Sequence, residues 1–242
     1  MRATAVTDQI TQLTRFGLMN AYLVREQDGF TLVDTMASGS AGALVQAAAD
    51  AGAPIRRIVL THGHSDHAGS LDALREQLGA SVEVLAPARD WRIVNGDRAL
   101  DPGEGTRKLR GGWPKVDTRP DTLLAPGDRI GSLEVVAAPG HTPGQVALLD
   151  TRDRALISGD AFSTVAGVTV AGTINWRFPL VALATWDPAR ALESARALRA
   201  LEPSALAPGH GRVVPAPAAA IDAAIAKAAR SSRGVGAARV AA

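Results

Sequence analysis

Thr61-His62-Gly63-His64-Ser65-Asp66-His67 places three imidazoles and a carboxylate in one short run. It follows Arg57-Ile58-Val59-Leu60, an apolar, β-prone stretch, and it precedes Leu71, Leu74 and Leu78, whose spacing forms a helical stripe that closes at Gly79. The run therefore reads as the turn between a buried strand and a helix. A tight turn at Gly63 aims several side chains at one centre, while the strand and helix hold their bases rigid. That is what a metal site needs, and a plain loop has no use for such a cluster.

Working outward, the other histidines sit in similar places. His141 lies in Pro139-Gly140-His141-Thr142-Pro143-Gly144 and His210 in Pro208-Gly209-His210-Gly211, each after an expected strand. Asp160 ends Ser158-Gly159-Asp160, and Asp34 ends the second strand of a hairpin formed by 21–24 and 30–33 around Asp28-Gly29. All five histidines of the chain thus fall at strand ends and none on a helix face. In α/β proteins, strand ends on one side of a sheet are where ligands bind.

The remaining elements complete an α/β pattern. Helices are expected over 41–51, about 187–201 and 217–229, the second opened by Asp187-Pro188 as N-cap and first turn. Further strands are expected at 82–85, 133–136, 146–149, 155–157 and 205–207. Segments 95–128 and 161–186 lack periodicity and read as long loops, which in a compact domain are usually functional or disordered. Residues 1–230 are read as a single domain and 231–242 as a flexible tail.

Composition narrows the function classes. Over 242 residues, 46% are apolar and 21% charged, the range of a globular chain. The formal charge of +2 is too balanced for a dedicated nucleic-acid binder. No cysteine occurs, which excludes disulfides, thiolate ligands and a cysteine nucleophile. No leader and no membrane-spanning apolar run is apparent, so the expectation is a soluble cytoplasmic protein.

In its five motifs, Asp34, T-H-G-H-S-D-H at 61–67, G-H-T-P-G at 140–144, S-G-D at 158–160 and P-G-H-G at 208–211, the chain resembles the metallo-β-lactamase-fold metallo-hydrolases, in the family's order. The resemblance implies an αββα sandwich, two mixed sheets face to face with helices outside. It implies that His62, His64 and His141 bind one metal, that Asp66, His67 and His210 bind a second, and that Asp160 bridges both. Asp34 would orient a ligand histidine, and Asp66 or Asp160 would pass a proton to the leaving group. The donors are all nitrogen or oxygen, which suits two zinc ions, with manganese or iron also compatible.

The implied chemistry is hydrolysis by a metal-bridging hydroxide. Asp160 stands where true β-lactamases of this fold usually carry Cys or Ser, so the resemblance is to the glyoxalase II and lactonase-like branch. Two features depart from that branch. Only about 30 residues follow His210, too few for a glutathione-binding domain, and the single tyrosine, Tyr22, precedes the motifs instead of following Asp160. The substrate expected is a small ester, thioester or lactone. The alternatives are a mononuclear iron persulfide dioxygenase, a β-lactamase-like or phosphodiesterase activity, and a non-catalytic metal-binding module.

Trp113, Phe162, Trp176, Phe178 and Trp186 are the expected apolar wall of the substrate pocket, and Arg107, Lys108, Arg110 and Lys115 the groups that would draw an anion. The expected partner is a small molecule, with neither nucleic acid nor membrane involved and the chain a monomer or homodimer.

Overall fold

Strands with both faces covered read as continuous apolar runs, and the runs noted above acquire both covers. The computed structural model describes residues 1–240, with side chains as far as Ser231; the last two residues of the tail expected over 231–242 lie outside the described residues. Its first half runs β1 (Arg2–Ala5), β2 (Ile10–Arg15), β3 (Met19–Glu26), β4 (Gly29–Val33), α1 (Ala41–Asp50), β5 (Ile55–Val59), α2 (Ser65–Ala68), α3 (Leu71–Leu78), β6 (Glu83–Pro87), α4 (Ala88–Val94) and β7 (Thr122–Leu124). The second runs β8 (Arg129–Ile130), β9 (Leu133–Ala137), β10 (Val146–Asp150), β11 (Ala155–Ser163), β12 (Thr169–Val170), α5 (Leu180–Ala184), α6 (Pro188–Ala200), β13 (Ala205–His210), β14 (Val214–Pro215) and α7 (Ala218–Val240).

Alternation along single strands builds the layers. In β3, Ala21 and Leu23 face α1 and α3, where Leu44, Leu71 and Leu74 meet them, while Tyr22 and Val24 face the opposite way. In β10, Ala147 and Leu149 face α6 and α7, where Leu198 and Ile221 wait, while Val146 and Leu148 turn inward. The inward sets share one core, in which Val33 and Val59 of the first half are joined by Leu133, Ile157 and Ala207 of the second. Helix, sheet, sheet, helix is the resulting order of layers.

Both sheets are mixed. β1 to β4 pair antiparallel and β4 to β7 parallel; β8 to β11 pair antiparallel and β11 runs parallel to β13. They are not separate, however. His210 pairs with Met19, so the strands form one path, β7-β6-β5-β4-β3-β13-β11-β10-β9-β8, curled until its two ends share the inner core through Leu124 and Ile130.

Three differences from the expected elements bear on the site. The β1–β2 ribbon was not expected, since every residue of β1 is exposed and shows no alternation. β11 does not stop at Asp160 but continues to Ser163, with register shifts around Gly159, whose φ is +49°. Such a bulge re-aims the side chain that follows it. The segment 161–186 also contains β12 and α5. Among the described residues no helix is long and apolar enough to cross a membrane.

Candidate metal centre

The strand β5 ends just before the histidine run, and Asp34 closes β4 beside it. Asp34 sits at φ +63°, a left-handed conformation that Asp tolerates better than most residues. From there its carboxylate accepts the Thr61 backbone N–H on Oδ1 (2.8 Å), and both the Thr61 hydroxyl (2.8 Å) and His67 Nδ1 (2.7 Å) on Oδ2. Gly159 packs against this knot, and a Cβ there would stand 2.8 Å from Thr61 Oγ1. Thr61 also joins the two sheets, because its carbonyl accepts the N–H of Val146 (2.9 Å).

Every imidazole is anchored through one nitrogen and presents the other to a common centre. Thr61 Oγ1 has given its proton to Asp34, so it accepts from His62 Nδ1 (3.1 Å). Thr185 Oγ1 has given its proton to the Val181 carbonyl, so it accepts from His141 Nδ1 (3.1 Å). His210 Nδ1 donates to the Leu18 carbonyl (3.1 Å), and His64 Nε2 to the Arg110 carbonyl (3.0 Å). In the neutral imidazoles those anchors fix the tautomers, with the lone pair on Nε2 of His62, His67, His141 and His210 and on Nδ1 of His64, which lies 3.0 Å from His141 Nε2.

The inward atoms fall into three groups, each with its ligand atoms within 4.8 Å of one another: His62, His64 and His141; His62, His67 and Asp160; and Asp66, His67 and His210. His210 Nε2 lies 3.2 Å from Asp66 Oδ2 and 3.3 Å from Asp160 Oδ2, and His141 Nε2 lies 3.4 Å from the same Asp160 oxygen. Three of these atoms, His62 Nε2, His67 Nε2 and Asp160 Oδ1, are buried without a hydrogen bond of good geometry, the last two facing each other at 3.4 Å. An unsatisfied buried polar atom costs about 1–3 kcal/mol. Three converging on one point, all nitrogen or oxygen, fit divalent cations.

The charges agree. Burial pushes His62 down and carries His141 to about 3, so both imidazoles are neutral and free to coordinate. Burial also opposes charge on His67 and His210, but the facing Asp160 carboxylate, with Asp34 and Asp66, raises His67 well above its ordinary value. Asp160 and Asp66 likewise raise His210 to about 10. Despite burial, His210 and His67 in turn keep Asp160 well below the usual carboxylate range, and the same two histidines keep Asp66 low. Without a cation, protons on two imidazoles balance these carboxylates.

A residue that the sequence reading missed holds two of the turns together. Asp90 at the start of α4 is buried, and its Oδ2 accepts Gly63 N–H (2.9 Å) and the Thr142 hydroxyl (2.7 Å) while Oδ1 accepts Gly144 N–H (2.6 Å). Burial nevertheless raises its carboxyl above the ordinary value. Only its position, just after an apolar strand, hinted at this role. Thr185 and the carbonyls of Leu18 and Arg110 were equally invisible.

A cleft of about 80 Å³ opens above these side chains, with His64, Asp66, His141, Asp160 and His210 on its floor and Phe178, Leu180, Val181 and Ala184 along one wall. Of the aromatics expected to line it, two lie beside it: the Trp113 ring is 4.9 Å from His64 and the Phe178 ring 5.2 Å from His210. The other three do not line it, which corrects the expectation for Phe162 and Trp186. Phe162 is fully buried in the core between sheet and helices, because β11 continues through it. Trp186 is buried too, its indole N–H spent on the Arg107 carbonyl (3.0 Å). Trp176 points to solvent, 87% exposed. The basic residues are exposed near the mouth; Arg110 reaches the Leu183 carbonyl (3.5 Å) and Arg107 lies 3.9 Å from Asp187.

Comparison with known proteins agrees with this geometry. The family model described as the metallo-beta-lactamase superfamily matches residues 14–210. The chain is 42% identical over 223 residues to the uncharacterized protein YobT of Bacillus subtilis (strain 168), covering 90% of this chain and 95% of that one. It is 31% identical to the probable metallo-hydrolase YflN of the same organism, covering 80% and 81%. Among solved structures, TTHA1623 in a di-iron-bound form superposes with a TM-score of 0.63 at 27% identity, covering 85% of this chain and 93% of that one.

Proposed function

The chain belongs to the metallo-beta-lactamase superfamily, and from that premise we propose that it is a dinuclear metal-dependent hydrolase of small esters, thioesters or lactones. The observation that carries the reading is the convergence of inward nitrogen and oxygen atoms, three of them buried without a hydrogen bond of good geometry. His62 Nε2, His64 Nδ1 and His141 Nε2 would hold one cation, Asp66 with His67 Nε2 and His210 Nε2 the second, and Asp160 would lie between them. Bound divalent cations at such a site supply hydroxide at neutral pH and polarise a carbonyl oxygen.

The chain's own residues do the rest. Asp34 holds His67 in one tautomer and, through Thr61, orients His62 as well. Asp66 and Asp160 keep ionised oxygens at the floor of the cleft, where they accept a proton and return it to the leaving group. Phe178, Leu180 and Val181 present an apolar wall, which favours an acyl group over a nucleotide. No cysteine is present and every imidazole is anchored toward the centre, which leaves no side-chain nucleophile with its own base.

Zinc, manganese and iron all suit these donors. The intact Asp66, His67 and His210 triad supports two cations and a hydrolase over a one-iron dioxygenase. A panel of ester, thioester, lactone and phosphodiester substrates, run on metal-replete protein beside Asp160→Ala, tests the reading. Turnover of an acyl substrate that the variant loses is expected. One iron per chain with oxygen consumption on a persulfide would replace the reading.

A further inference from the structure

Exposed apolar side chains usually lie scattered over a protein surface, and a cluster of them marks a binding site. Among the described residues eight large ones are exposed, and six belong to two segments that border the site: Phe16 and Leu18 on the turn between β2 and β3, and Ile174, Trp176, Leu180 and Leu183 between 171 and 184. Both segments touch the site itself. The Leu18 carbonyl anchors His210, Leu180 is at once a wall of the cleft and 61% exposed, and the Phe178 ring lies 5.2 Å from that of His210.

The cleft is open on one side, with His64, Asp66, His141, Asp160 and His210 on its floor. A substrate held at that floor extends across the rim, where Phe178, Leu180 and Val181 form one wall and Leu183 lies one helical turn beyond Leu180 in α5.

We infer that this collar binds the apolar chain of the substrate, so that the enzyme acts on acyl compounds with a medium or long hydrocarbon tail. The inference rests on the hydrolase reading for its chemistry and on the collar alone for its specificity. Hydrolysis adds water across the acyl bond, and the released fatty acid keeps its tail on the collar.

Two measurements on the metal-replete full chain test it. In a series of p-nitrophenyl esters from acetyl to dodecanoyl, KM should fall about two- to fourfold per methylene, and Trp176→Ser with Leu183→Ser should flatten that slope. Sodium decanoate should shift the emission of the exposed Trp176 to shorter wavelength, a shift absent in Trp176→Phe. A KM independent of chain length, or no spectral response to decanoate, overturns the inference. So does a collar occupied otherwise: a dimer that Trp176→Ser dissociates, or phosphatidylcholine vesicles whose binding that variant abolishes. If no ester, thioester or lactone is hydrolysed at all, the hydrolase reading fails, and the decanoate titration still decides the collar.

Discussion

Asp34→Asn is the substitution that separates charge from shape at this centre. Asn tolerates φ +63° as Asp does and has nearly the same volume, so the backbone of the turn is kept. Its amide oxygen best takes the Oδ2 position, which serves both the Thr61 hydroxyl and His67 Nδ1. The NH2 group then faces the Thr61 N–H that Oδ1 had accepted at 2.8 Å, and donor meets donor in a buried position. The loss of that bond, with the charge removed from the His67 bond, amounts to about 3 kcal/mol. In a chain of this size that is a fall in Tm of about 6–12 °C. Because the same carboxylate orients His67 directly and His62 through Thr61, metal affinity should fall about 10- to 100-fold. Thermal unfolding and competition against a chromophoric chelator read the two effects. A variant with wild-type Tm and wild-type metal affinity would refute the argument that Asp34 organises the centre.

Three further outcomes follow from the same geometry. Asp90→Ala strips the acceptor from three buried donors in two histidine turns, at about 1–3 kcal/mol each, so Tm should fall by at least about 6 °C and metal should be lost more readily to chelator. In Gly111→Ala the new methyl would overlap the His64 ring at a φ of +80°, so metal content and turnover should both drop; unchanged values would show that the loop carries no such constraint. Metal binding should strengthen with pH. His67 and His210 carry raised values in the metal-free site, the latter about 10, and a cation must displace their protons, so affinity rises about tenfold per pH unit for each proton displaced. The stability that those charged imidazoles lend the metal-free chain is fully present below their unfolded value of about 6.5 and is lost as pH rises toward 10. Titrations at pH 6, 7 and 8 giving one flat affinity would contradict this.

The centre was legible because its parts are side chains of unusual kind in unusual density. Three histidines and an aspartate in one strand-to-helix turn have few other uses, and His210 ends a strand as expected, whereas Asp160 proved to lie within β11. What stayed hidden depends on groups that sequence does not mark. The anchors of His64 and His210 are backbone carbonyls, of Arg110 and Leu18, which any residue supplies. Asp90 looks like any acid in a first helical turn until the fold sets two loops against it. Phe162 and Trp186 show the opposite error: an aromatic in an apparently irregular stretch is silent about which way it faces, and here β11 carried Phe162 into the core. The β1–β2 ribbon escaped notice for want of a buried face on β1.

The central claim is that the inward atoms of His62, His64, Asp66, His67, His141, Asp160 and His210 hold two divalent cations in one folded chain. Elemental analysis of the protein after equilibration with zinc and desalting, with circular dichroism on the same sample, tests it most directly. The expected result is about two ions per chain in the wild type and about one in His210→Ala. A fully folded wild-type chain that retains no metal would contradict the account.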